Sequence, residues 1–143
     1  MAGPQFFTPK SVRPSRPRRR FTLVEANRTL PLVSRIVSDI VTTHAKAVRL
    51  TRELETTPAK EQAEHQRTLD AAMSLLEDYV DELTEVGCEL KDYEQGIIDF
   101  TGRHRGRDVC LCWKLGEPAV AHWHELDAGA AGRQPVSMLV ENE

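Results

Sequence analysis

The chain has 143 residues, 29% of them charged and 40% hydrophobic, with a net charge of −3; that length suits one domain with a substantial core. No run approaches the roughly 18 apolar residues of a membrane span, and no apolar segment follows the basic N-terminus as in a secretion signal. Three cysteines, Cys88, Cys110 and Cys112, are too few and too badly spaced for a disulfide framework, so reduced thiols and a cytoplasmic location are expected.

Residues 1–20, MAGPQFFTPKSVRPSRPRRR, carry +6 and no acid, leaving −9 on the remainder. Four prolines and few apolar side chains cannot offset the ordering entropy of this segment, so a disordered basic tail is expected. Residues 10–20 are then the candidate contact for a polyanion such as nucleic acid, weak and non-specific. A purely solubilising tail is the plainer alternative, and an Arg-rich, acid-free start also has the composition of an organelle transit peptide. The ordered part is expected as one domain over 21–136, with a loose C-terminus over 137–143.

Order begins at FTLVEANRTLPL, where Thr22 and Glu25 have capping-box spacing. Pro31 interrupts the pattern, which predicts a short helix over 23–29 and a new helix opened by Pro31. From 31 to about 55, Val33, Ile36, Val37, Ile40, Val41, Ala45, Val48 and Leu54 recur at three-and-four spacing, the stripe of an amphipathic helix. A break around Pro58 leads to a second helix over about 59–86, with the stripe Leu69, Ala72, Met73, Leu76, Tyr79, Val80, Leu83 and Val86 and a glycine at 87 to cap it. The two form an antiparallel hairpin, coiled-coil-like, each arm roughly 40 Å long. Beyond Gly87 the period changes. CELKDY, GIIDF, DVCLCWKL and AVAHWHEL read as short strands, and EQG, TGRHRGR and GEP as turns between them. The fold class is α+β: a long helical hairpin followed by a small antiparallel β-meander.

The chemistry is concentrated in CLCWKLGEPAVAHWHELDAG, residues 110–129. Strand alternation puts Cys110 and Cys112 on one face and Trp113 on the other, and likewise His122 and His124 opposite Trp123. A three-residue loop at 116–118 would set Cys112 against His122 and Cys110 against His124. A four-residue loop would put thiols and imidazoles on opposite faces, and the sequence leaves both open. In the first register Cys110, Cys112, His122 and His124 suit zinc or another transition metal, with Asp127 a further ligand. The plainer alternative treats the cysteines as small buried hydrophobes and the tryptophans, Trp113 and Trp123, as core. A Cys110 or Cys112 nucleophile with His124 and Asp127 has the right residue types, but no helix N-terminus is at hand to lower the thiol pKa. Arg133 can bind an anion or tie its loop to Asp127 or Glu125.

FTLVEANRTLPLV, ELKDYEQGIIDF, VCLCWKLGEP and WHELDAGAAGRQPV resemble the bacterial family catalogued as domain of unknown function 2203, over about 21–136. The resemblance implies a helical coiled coil followed by a small β region, and no activity. It rests on Lys91, Asp92, Gly96, Asp99, Phe100, Cys112, Trp113, Gly116, Glu117, Pro118, Trp123, His124, Asp127, Gly129, Gly132 and Arg133, and departs at Cys110 and His122. By resemblance, then, a shared site would use His124, Asp127, Arg133, Asp92, Asp99 and Glu117. Three functions follow from the sequence: metal binding centred on His124, a non-enzymatic homodimer or interaction protein built on an exposed helical stripe, and polyanion binding by the tail. No membrane partner is expected.

Overall fold

The computed structural model describes residues 19–142; the expected disordered tail, apart from Arg19 and Arg20, lies outside the described residues. Helix α1 spans Leu23–Leu54. Its start is the capping box: Thr22 Oγ1 accepts from Glu25 N at 3.1 Å and Glu25 Oε1 accepts from Thr22 N at 3.0 Å. The break expected at Pro31 does not occur, and one helix runs through it. Pro31 is exposed, while Ala26, Val33, Ile36, Val37 and Ile40 are buried on both sides of it. Packing outweighs the roughly 3 kcal/mol that an internal proline costs.

A single 3-10 turn, Ala59–Glu61, leads into α2, Gln62–Val86. The helix closes at Gly87 in the left-handed conformation (φ 115°), with Cys88 N donating to Leu83 O at 3.2 Å. Val33, Ile36, Val37, Ile40, Ala47 and Leu50 of α1 share one core with Leu69, Ala72, Leu76 and Leu83 of α2. Val41, Val48 and Leu54 of α1 and Met73, Tyr79, Val80 and Val86 of α2 are half-buried against it, and Ala45 is exposed. The large exposed apolar residues among the described ones are Val24, Leu32, Leu75, Leu126 and Met138. No helix among the described residues is long and apolar enough to cross a membrane.

Five antiparallel strands follow in sequential order: β1 Glu89–Asp92, β2 Ile97–His104, β3 Arg107–Lys114, β4 His122–His124 and β5 Gln134–Pro135. The segment expected as a turn, TGRHRGR, is mostly strand. Thr101–His104 extend β2, Arg107 opens β3, and the turn is the two residues Arg105 (φ 51°) and Gly106 (φ 80°). Two successive positive φ values are the geometry of the tight hairpin turn whose twist matches its strands. Leu90, Ile98, Phe100, Val109, Leu111, Trp113 and Trp123 join the helical core from one face of the sheet. The alternate residues form the other face.

The C-terminal segment expected to be loose is tied back through residue 141. Val140 N donates to His104 Nδ1 at 3.0 Å, Arg105 N to Val140 O at 2.8 Å, and Leu23 N to Glu141 Oε2 at 2.6 Å. These bonds satisfy backbone groups at the hairpin end and at the first turn of α1, where a helix has free N–H donors.

Candidate metal centre

Three strands place the site. The Arg105–Gly106 turn sets Asp99 opposite Cys112 and Thr101 opposite Cys110. Between β3 and β4, Cys110 pairs with His124, Leu111 with Trp123, and Cys112 with His122. That is the register of the shorter loop, although the connection from 115 to 121 is no tight turn. It is held from outside the hairpin as well as within. Glu117 Oε1 accepts from Lys114 N at 3.0 Å and Glu117 O from Trp113 Nε1 at 3.0 Å. Asn27 of α1 clasps the backbone of Val120, Oδ1 accepting from its N–H at 2.8 Å and Nδ2 donating to its carbonyl at 3.4 Å. Thiols and imidazoles therefore share the face turned away from the helices.

On that face Asp99, Cys112 and His124 are all buried, and one ligand atom from each lies within 4.8 Å of the other two. Such a group could hold a metal ion. His124 sits between two acceptors: Nδ1 is 2.7 Å from the Glu125 carbonyl and Nε2 is 3.1 Å from Asp99 Oδ1. A neutral imidazole has one N–H and cannot donate to both. With the proton on Nδ1, given to the carbonyl, Nε2 presents a lone pair towards the carboxylate, and an added proton or a cation completes the pair. A backbone carbonyl on the far nitrogen is also the usual way a metal-ligating histidine is oriented.

The remaining sequence candidates go elsewhere. His122 Nδ1 accepts from Arg133 Nη2 at 2.8 Å, and the same Nη2 donates to both Glu117 oxygens at 2.7 Å. His122 is 3.9 Å from Glu117 Oε2, so its near partner is the guanidinium and it does not join the group. Asp127 is exposed in the turn after β4 and does not join it either. Asp92 holds the β1–β2 turn, accepting from Glu94 N and Gln95 N. The Glu125 carboxylate pairs with Arg107, and it is the Glu125 backbone carbonyl that meets His124. Trp113 and Trp123 are core, the latter with its ring 4.5 Å from that of His104. Cys110 faces His124 across the ladder yet stands outside the triad.

Burial, followed by the Asp99 charge, pushes both the Cys110 and the Cys112 thiols up to about 12, and burial does the same to Cys88. At neutral pH all three are thiols, and the thiolate that a cysteine nucleophile needs is not available. The sign for stability follows. Unfolded thiols near 9.0 lose their protons before the folded ones do, so each contributes stability that is intact below about pH 9 and is lost as pH rises towards 12. Urea unfolding under reducing conditions should show stability falling above pH 9, by about 1 kcal/mol per thiol at pH 10. The fall should shrink in Cys88→Ala, and a flat profile to pH 10.5 would contradict the burial of these groups.

Residues 19–136 match the sequence model of a family described as Uncharacterized conserved protein (DUF2203). Comparison with curated proteins and with solved structures finds no match.

Proposed function

The chain belongs to the DUF2203 family, and we propose that within it this protein holds a divalent transition metal, zinc by preference, through Asp99, Cys112 and His124. The observation that supports this is the buried triad, with His124 Nδ1 engaged by a carbonyl and Nε2 facing a carboxylate. Thiolate, imidazole and carboxylate together are the ligand types of zinc. Ligand atoms about 2.0–2.3 Å from a tetrahedral zinc stand about 3.3–3.8 Å from one another. The Asp99–His124 separation of 3.1 Å is already near that, and a triad within 4.8 Å needs a contraction of about 1 Å to close.

Three protein ligands leave a fourth position for an oxygen, the pattern of zinc that acts as a Lewis acid. The protein's own part is to orient the imidazole, to keep the ligands dry and to supply the Cys112 thiolate. A reducing compartment such as the cytoplasm keeps that thiol free.

Protein purified without chelator, saturated with zinc and desalted should retain close to one metal per chain by mass spectrometry. Binding displaces the Cys112 proton, so below pH 12 the affinity should rise with pH, up to about tenfold per unit for one proton released. A stoichiometry near zero at pH 8 would overturn the metal reading and leave Asp99 and His124 as a buried structural pair.

A further inference from the structure

The helical hairpin carries an open groove on its surface, lined by Lys46 of α1 and by Arg67, Thr68, Ala71 and Leu75 of α2. Leu75 is 44% exposed, the large apolar side chain that α2 turns to solvent. Thr68, Ala71, Leu75, Asp78 and Glu82 recur at three-and-four spacing, with Arg67 beside Thr68, so they form one ridge of the helix. The charges on that ridge are ordered. Arg67 stands eight residues before Leu75 and Glu82 seven residues after it, about 12 Å and about 10.5 Å away along the axis. Lys46 borders the groove on the side of Arg67, and Asp78 lies between Leu75 and Glu82. All four charged residues are exposed, and none of them forms an ion pair or side-chain hydrogen bond among the described residues. From Thr68 to Val86 the helix has six acids and no Lys or Arg.

We propose that a second copy of the chain docks in this groove, hairpin antiparallel to hairpin, on a two-fold axis at Leu75. Such a contact needs a surface complementary to itself. Turning the ridge about Leu75 brings each Arg67 to within about 1.5 Å, along the axis, of the partner's Glu82. The partner's Asp78 falls at Ala71 and Ala72, where small side chains allow close approach beside Lys46. Parallel docking would set the two acidic halves of α2 against each other, and like charges in contact reject that register. A second copy is therefore the occupant whose charges match the groove in order and spacing. The contact uses none of the metal ligands, so it stands apart from the metal reading.

Sedimentation of the full-length protein over about 5–500 µM, in about 50 mM KCl, tests this. The wild-type chain should pass from monomer to dimer across that range, and higher salt should weaken the dimer. Arg67→Glu and Glu82→Arg should each weaken dimerisation at least about tenfold, because every dimer then holds two like-charge contacts. Mixed in equal amounts, the two variants should form a heterodimer within about twofold of the wild-type affinity, since both contacts again join opposite charges. The mixture is its own folding control, because a misfolded variant could not restore the dimer. Leu75→Glu sets two carboxylates on the axis and should leave only monomer. A wild-type monomer at every concentration, a charge variant that dimerises as tightly as the wild type, a mixture no tighter than either variant alone, or a dimer that survives Leu75→Glu would each overturn the proposal.

Discussion

Replacing His124 by alanine is expected to lower bound zinc from about one per chain to near zero and to destabilise the metal-free protein by about 1–3 kcal/mol. The second effect comes from the surroundings of the ring. His124 and Asp99 are 1% and 4% exposed, and deleting the imidazole leaves the carboxylate buried without the partner that faces it at 3.1 Å. A buried polar group that loses a hydrogen-bond partner costs about 1–3 kcal/mol, and the Glu125 carbonyl loses its Nδ1 donor at the same time. His122→Ala should leave the metal in place, because that ring is engaged with Arg133. Cysteine variants separate the ligand from its neighbour. In cobalt-loaded protein the sulfur-to-metal charge-transfer band should vanish in Cys112→Ser and persist in Cys110→Ser. Metal content gives the occupancy, and urea unfolding of the apo-protein gives the stability. Full zinc occupancy in His124→Ala, or a charge-transfer band lost with Cys110 and kept without Cys112, would disprove the ligand set.

Gly96→Ala should be among the most damaging single substitutions outside that site, at about 3 kcal/mol. Gly96 has φ +72° in the β1–β2 turn, where a Cβ costs about 1 kcal/mol or more on backbone grounds. The added atom would fall 2.8 Å from Val37 Cγ1, 3.0 Å from Leu115 Cβ and 3.1 Å from Val41 Cγ2. Overfilling a packed contact adds about 1–3 kcal/mol. The same position accepts Leu115 N at its carbonyl, 3.0 Å away, so this turn joins α1 to the end of β3 beside the site. Gly116→Ala supplies the comparison. Its φ is +102° but nothing lies within 4 Å of the new Cβ, so it should cost about 1 kcal/mol, the backbone part alone. Equal thermal and urea midpoints for the two variants would mean that the turn does not seat against α1.

Local chemistry made much of the architecture legible from residues alone. Thr22 and Glu25 cap their helix as their spacing demands, because the bonds involved span three residues. The apolar stripes at three-and-four spacing face the core, buried or half-buried except for Ala45, and Gly87 ends α2 in the left-handed conformation. The change of period after Gly87 marks the meander. The sequence also ranked His124 and Cys112 as candidate ligands from residue type and strand alternation.

Tertiary structure decided what depends on contacts between distant segments. Pro31 lies inside α1 because the residues on either side of it are buried in a common core, a gain that no local propensity records. The outer face of the sheet was assembled by two registers. The first, Asp99 opposite Cys112, follows from a tight turn at Arg105–Gly106, the one signal in TGRHRGR that could have brought Asp99 to the site from sequence. The second, Cys110 opposite His124, has no such local cause. The connection from 115 to 121 is too long to dictate pairing, and the choice is made by Asn27 of α1 holding Val120 and by Glu117 holding Trp113 and Lys114. A shift of one residue would have turned His124 towards the core and away from Asp99. Residue types and spacing determined which side chains have ligand chemistry; hydrogen bonds from a helix more than 90 residues away determined that they meet.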